Sequence, residues 1–316
     1  LSLFSFCFIS FITVLAILTP WIAPYDYAYQ DLDLGPSGPS MAHWMGTDVL
    51  GRDLLTRILY GSRISLMVGF LATIVALFIG VIWGTVAGYA GGKIDTVMMR
   101  IVDAMYGVPF IILIILLMVI FGRNLILLFV AIGAVEWLTM SRIVRSQVRS
   151  LSQQEFVLAA RAMGVSRIDI IFRHLIPNTV GPVIVYATLT VPQIMLLEAF
   201  LSFLGLGVQA PMSSWGILIR DGAVSMEEYW WLLIFPSILF SLTLYSLNFI
   251  GDGLRDALDP RTMQNNPKYK NVILDIYDFF EKKIKFIRSK GIKHNNIILD
   301  PGIGFGKNLK HNITLI

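Results

Sequence analysis

Long apolar runs alternate with short polar segments from residue 3 to residue 250. Residues 3–22 are apolar over about 20 positions, the length at which an α-helix crosses a hydrocarbon core of roughly 30 Å. Further runs at 64–89, 101–121, 125–140, 180–206 and 230–250 bring the number of predicted spans to six. The run at 125–140 is short for a crossing and must continue as helix toward Arg142. The pattern predicts an all-α polytopic membrane protein.

Composition supports that class. The chain has 316 residues, 56% of them hydrophobic, with a mean hydropathy of +0.71, too apolar for an ordinary soluble domain of this length. A cleaved leader is the rival reading of residues 3–22, but no small-x-small site precedes Pro20 and the run exceeds a leader's apolar core. Leu1 in place of Met places the natural N-terminus upstream. The single cysteine, Cys7, excludes an intrachain disulfide. The formal charge of +4 does not indicate nucleic acid, because the basic residues concentrate in particular loops. Arg142, Arg145, Arg149, Arg161, Arg167 and Arg173 follow the fourth span, and Lys93 and Arg100 follow the second. The positive-inside rule makes both loops cytoplasmic, and with them both termini. The loop after the first span, with Asp26, Asp31, Asp33, Asp48 and Asp53 against Arg52, Arg57 and Arg63, falls on the outer side.

The polar stretch 141–178 interrupts the apolar pattern and reads as two short helices joined at Gly164. Ser152 with Glu155 has capping-box spacing, Gly164 supplies a left-handed C-terminal residue, Ser166 with Asp169 opens the second helix and Pro177 stops it. Phe156, Ala159, Ala160 and Met163 form one predicted apolar face with a small centre, suited to docking.

Gly80, Gly84, Gly88, Pro109, Pro182, Pro192 and Pro236 lie inside the spans, where small residues allow close helix packing and prolines mark either packing or hinges. Glu136 and Glu198 are carboxylates within spans and must face the bundle interior or water. Structural hydrogen bonding is the first reading of both, and coupling of a secondary transporter to an ion gradient the alternative.

The stretch from Glu155 to Gly164, followed by Arg173-His-Leu-Ile-Pro-Asn178, resembles the EAA loop of ABC importer permeases. Ala159, Ala160, Gly164 and Pro177 match that pattern in register, while Leu158 stands in place of its Glu and His174 in place of an Ile, departures similar to those of peptide-transporting members. His43-Trp-Met-Gly-Thr-Asp-Val-Leu-Gly-Arg-Asp53, Leu201-Ser-Phe-Leu-Gly-Leu-Gly207, Ser214-Trp-Gly216 and the run from Asn248 to Arg261 are similar to signatures of the second, C-type permease subunit of dipeptide, oligopeptide and nickel importers. The resemblance covers residues 1–261.

It implies a multi-pass protein of the bacterial inner (plasma) membrane, in contact with membrane lipid. Its expected partners are a sister permease, completing a heterodimer, two ATP-binding subunits and an external solute-binding protein. It implies no catalytic residue, metal or cofactor in this chain, ATP and magnesium being held by the ATPase subunits. By resemblance, Glu155, Phe156, Ala159, Ala160, Arg161, Met163 and Gly164 form a coupling helix with Pro177 downstream. Gly46, Thr47, Asp48, Gly51, Arg52 and Asp53 form an external loop that either faces the binding protein or staples itself by local ion pairs.

From Met263 the composition changes: Lys becomes frequent, 272–287 reads as a soluble amphipathic helix and 296–299 as a strand, a short α/β fragment. Residues 263–269 and 299–307 resemble dihydropteroate synthase, a barrel enzyme, with Asp300 at its pterin-holding position. A segment of this length cannot close a (β/α)8 barrel. The two patterns meet at residues 261–263 as at a joint between two reading frames, and a membrane-tethered, truncated synthase is the alternative function. Gly302-Ile-Gly-Phe-Gly-Lys307 has one residue too few between its Gly and its Gly-Lys for a phosphate-binding loop, and Asn308 follows where Ser or Thr would ligate magnesium.

Overall fold

The computed structural model describes residues 2–122, 124–258 and 271–289, with Leu299 and Thr314, and among these the regular structure is helical. Contacts divide the chain into two units, Leu1–Gly253 and Leu254–Ile316.

In the first unit, α1 (Ser2–Ile22), α2 (Leu54–Ala90), α5 (Leu125–Leu151), α8 (Ile176–Phe203, prolonged at its start) and α10 (Trp231–Leu258) are each long and apolar enough to cross a membrane. The predicted third span is not one helix. It divides into α3 (Gly92–Tyr106) and α4 (Phe110–Phe121), bent by 78°. Pro109 has no N–H to donate and drives the residue before it out of the helical region, while the Gly107 N–H closes α3 on Asp103 and Ala104 carbonyls. At 12 residues, α4 spans about 18 Å alone, so the crossing depends on both halves. The fourth span does run past Met140, giving a helix of 27 residues and roughly 40 Å.

The glycines read as packing positions serve that purpose. A Cβ at Gly80 would lie 2.6 Å from Met140 Cβ, and one at Gly84 2.5 Å from the Ser141 carbonyl, so bare backbone lets α2 and α5 close together. Just beyond the end of α2, Asp95 at the start of α3 is tied to Arg145 of α5 through Nη2 at 2.6 Å and Nε. The loops after the second and fourth spans therefore share one end of the bundle. At the other end, the segment before α2 meets the short helix α9 (Trp215–Val224), absent from the hydrophobic pattern because it is an internal plug rather than a span. Trp215 is fully buried, donating from Nε1 to the Ile58 carbonyl at 3.1 Å and from its backbone N–H to Ser65 Oγ at 3.1 Å.

The second unit contributes α11 (Val272–Ser289), amphipathic as predicted, with an exposed i,i+4 pair, Glu281–Lys285 at 2.6 Å, whose hydrogen bond holds the Glu281 carboxyl below its ordinary range. Asp300, residues 296–298 of the strand predicted at 296–299 and the glycine run 302–307 lie outside the described residues, and Leu299 is not in a strand.

Candidate functional site

The polar stretch 141–178 folds into a platform at the end of the bundle that carries Asp95 and Arg145. The predicted capping box is not formed. Ser152 closes α5, its hydroxyl donating to the Val148 carbonyl at 2.7 Å, and Gln154 precedes α6 (Glu155–Ala162) without a side-chain cap. Gly164 has the expected left-handed backbone, φ +78°, and the Val165 N–H reaches back to the Ala160 carbonyl at 3.1 Å, the six-to-one bond of a Schellman turn. Ser166 then caps α7 (Arg167–Asp169), accepting from the Asp169 N–H at 3.1 Å.

Pro177 does not stop this helix. α7 passes into a π-helical turn, Ile170–Leu175, and on into α8, with Pro177 in the first turn of α8. A proline cannot donate to the preceding turn, and the five-residue step, Ile176 N–H to Ile171 carbonyl, shifts the ladder around it. Asn178 Nδ2 donates to the His174 carbonyl at 2.6 Å, satisfying an acceptor in that shifted turn.

The predicted docking face is divided between two surfaces. Ala160 is buried with Val157, packed in a cluster with Val144, Val148, Ile170 and Leu175 from the neighbouring helices. Ala160 thus anchors α6 to its own chain, because the side facing α5 and α8 carries positions 157 and 160, one turn apart. Arg161 lies over the Tyr89 ring at 5.0 Å, tying α6 to the end of α2 while its side chain stays exposed. Phe156, Ala159 and Met163 lie on the exposed side, as does Glu155. Leu158, Ile168 and Phe172 extend the exposed apolar surface, with Met163 76%, Ile168 68% and Phe172 65% accessible. Sequence reading missed Ile168 and Phe172, since the helix phase carried across Gly164 and the π turn is not that of an unbroken α-helix. A surface this apolar on an arginine-rich, polar loop is of the kind that marks interaction sites.

At the opposite end the loop signature is a buried staple. Asp48 accepts from Arg52 Nε at 2.8 Å, Arg57 Nη1 at 2.5 Å and the backbone N–H groups of Leu50 and Arg52. Asp53 caps α2 through the Thr56 N–H at 2.8 Å and meets His43 Nδ1 at 2.9 Å. Thr47 is fully buried, bonded to Gly35 and Ser37, and its carbonyl accepts from Trp231 Nε1 at 3.2 Å. Gly46 and Gly51 are needed where they stand: at φ +69°, a Cβ on Gly51 would fall 1.8 Å from the Asp31 carbonyl oxygen. Of the two expected roles, these side chains adopt the staple, and the outward surface of the segment belongs to others, among them Leu32, Met41 and Trp44.

Glu198 is fully buried and held by hydroxyls, accepting from Ser202 Oγ at 2.7 Å, with Ser65 Oγ at 3.5 Å from its other oxygen and Ser214 bonded to Ser202. It knits α2, α8 and α9 together, the structural reading of that carboxylate.

Residues 80–264 match the model of the binding-protein-dependent transport system inner membrane component family, and residues 1–37 match that of the N-terminal transmembrane domain of oligopeptide transport permease C. The chain belongs to the inner membrane component family. This permease is 50% identical over 259 residues, 81% of its length and 83% of the relative's, to the oligopeptide transport system permease protein OppC of Haemophilus influenzae. It is 48% identical over 252 residues, 79% of each chain, to the dipeptide transport system permease protein DppC of Bacillus subtilis. Among solved structures, an inward facing MetNI methionine ABC transporter aligns with a TM-score of 0.45 at 19% identity, covering 65% of this chain and 95% of that one. Residues 255–316 match the model of pterin binding enzymes, the source of the tail's resemblance. The protein is therefore a multi-pass permease of the bacterial inner membrane and not itself an enzyme. Its family works with ATPase and substrate-binding partners.

Proposed function

We propose that this permease forms one half of the transmembrane pathway of an importer for oligopeptides or dipeptides, the solutes named for its relatives, with a sister permease as the other half. The exposed apolar patch Phe156, Ala159, Met163, Ile168 and Phe172, mounted on the buried anchors Val157 and Ala160, is the observation that carries the reading. It is the docking surface for an ATPase subunit, and ATP and magnesium belong to that partner. The arginines of this end make it cytoplasmic, which sets both termini on the same side and puts the loop held by the Asp48 staple on the external side, its outward residues such as Leu32, Met41 and Trp44 facing the binding protein.

Motion passes through a short path. Displacement of α6 by the closing ATPases moves Val157 and Ala160 against α5 and the start of α8, and the π turn gives the base of α8 a place to yield. The test is reconstitution with the sister permease, ATPases and binding protein in liposomes. Uptake of a labelled tripeptide should require ATP and fall to background for Phe156→Arg, which should also fail to retain the ATPase subunits. Uptake that persists without ATP but collapses with the ion gradient would overturn the reading.

A further inference from the structure

Glu136 lies within the fourth span, half-buried, and among the described residues no side chain hydrogen-bonds or ion-pairs with its carboxylate. Glu198, by contrast, has its hydroxyl cradle. The nearest arginine on the same helix, Arg142, is already engaged: Nη2 donates to Asp103 at 2.6 Å and its guanidinium lies over the Tyr106 ring at 4.1 Å. A carboxylate at this depth does not face lipid, so it looks into a water-filled path or meets a cation.

Its surroundings are polar and come from three elements. Thr139, one turn along α5, bonds the Tyr106 hydroxyl at 2.5 Å at the end of α3. Tyr186 of α8 lies in the same neighbourhood, close enough to Glu136, Thr139 and Tyr106 to feel their charge and dipoles, and its carbonyl accepts from Thr190 Oγ1 at 2.9 Å. Gln193 follows on the same face of α8, seven residues and about 10 Å further along. It lines an open cavity of about 710 Å³ walled mainly by apolar side chains such as Leu197, Phe200 and Phe240, with Ser237 and Ser241 also on its wall, a volume within the range of ligand sites.

An anionic point with hydroxyl groups at one place and an apolar recess further along the same helix face fits a solute with a cationic head and a variable body. We infer that Glu136 lines the translocation pathway and receives the α-ammonium group of the transported peptide, in a neighbourhood it shares with the Tyr106, Thr139 and Tyr186 hydroxyls. This rests on the peptide reading of the importer.

The test uses the full transporter with its binding protein in liposomes, supplied with trialanine or N-acetyl-trialanine at concentrations saturating the binding protein. Glu136→Gln should lower trialanine uptake roughly ten-fold, the scale of a lost charge-assisted hydrogen bond, while leaving the acetylated peptide unaffected. Glu136→Asp should restore part of the preference. Equal loss for both peptides, or no loss, would overturn the assignment and point to pairing with the sister subunit. A second measurement is independent of the binding protein's own selectivity. Glu136→Cys in a Cys7→Ser background should react with a cationic, water-soluble thiosulfonate and be protected by trialanine, and a thiol that does not react overturns the proposal. Should the parent protein take up neither peptide, the peptide reading fails and this inference with it; should the parent take up trialanine while Glu136→Gln keeps the parent's preference, only the inference fails.

Discussion

Asp48 gathers two guanidinium groups and two backbone N–H groups on one carboxylate, with 4% of its surface accessible. Replacing it by Asn keeps the shape but takes the anion from buried Arg52 and leaves Arg57 facing only the more distant Asp221 at 3.9 Å, and breaking a buried pair from one side costs about 3–5 kcal/mol. Asp53 is also buried, yet Asn is as good an N-cap as Asp, so Asp53→Asn gives up mainly the His43 contact and should cost under about 1 kcal/mol. Titration of the purified permease with denaturing detergent in mixed micelles should rank Asp48→Asn far below Asp53→Asn. The sequence makes these residues legible as a charged signature but not their direction. Asp, Arg and Gly at such spacing serve an outward recognition loop and an inward staple equally well. Glu198 was more readable, because a carboxylate inside a span must be satisfied by the protein itself, and serines at 65, 202 and 214 supply the donors.

Helix existence could be read from hydrophobic period, whereas helix ends and faces depended on contacts that no local pattern contains. The amphipathic stripe on α6 was read as one face, yet Ala160 turns inward and Phe156 outward. That division is testable. Phe156→Arg should leave the permease's own unfolding unchanged while losing the ATPase, whereas Ala160→Arg should destabilise the permease itself by about 1–3 kcal/mol or more, as overpacking and a buried charge require. Gly164 gives a sharper case, because a Cβ there would meet nothing within 4 Å and only the backbone φ of +78° opposes substitution. Gly164→Val should therefore cost about 1–2 kcal/mol of local strain without a clash, and Gly164→Asn, which tolerates this backbone, much less. In the reconstituted importer, tripeptide uptake per ATP hydrolysed should fall for Val and be largely retained for Asn. A coupling ratio unchanged by Val would mean that the turn after α6 carries no motion. Pro177 was misread for a physical reason: a proline ends a helix only when nothing re-satisfies the ladder, and here a π turn and the Asn178 side chain do so.

At the scale of the molecule, one ion pair and one hydrogen bond sort the loops into ends. Asp95 with Arg145 joins the loops after the second and fourth spans, while Ser213, bonded to the Arg57 carbonyl at 3.3 Å, joins those after the first and fifth. That pairing is what an alternating six-crossing path demands, and it was foreseeable from arginine placement alone. The 78° bend in the third crossing was less so, since an apolar count over 101–121 passes across Pro109 without registering it. The same scale bears on the tail. The docking patch, the staple, the Glu198 network and Glu136 all lie within Leu1–Gly253, one compact unit, and α11 belongs to the other. A chain truncated after Thr262 retains every group assigned a role in transport, so it should assemble with its partners and import trialanine at a rate within about two-fold of the full chain, a difference of less than 0.5 kcal/mol in barrier, roughly. Loss of assembly on truncation would show instead that the tail contributes to the permease. Binding of a pterin to the full chain, measured by calorimetry and abolished by Asp300→Ala, would show that the segment matching pterin binding enzymes keeps a site of its own, separate from the transport groups.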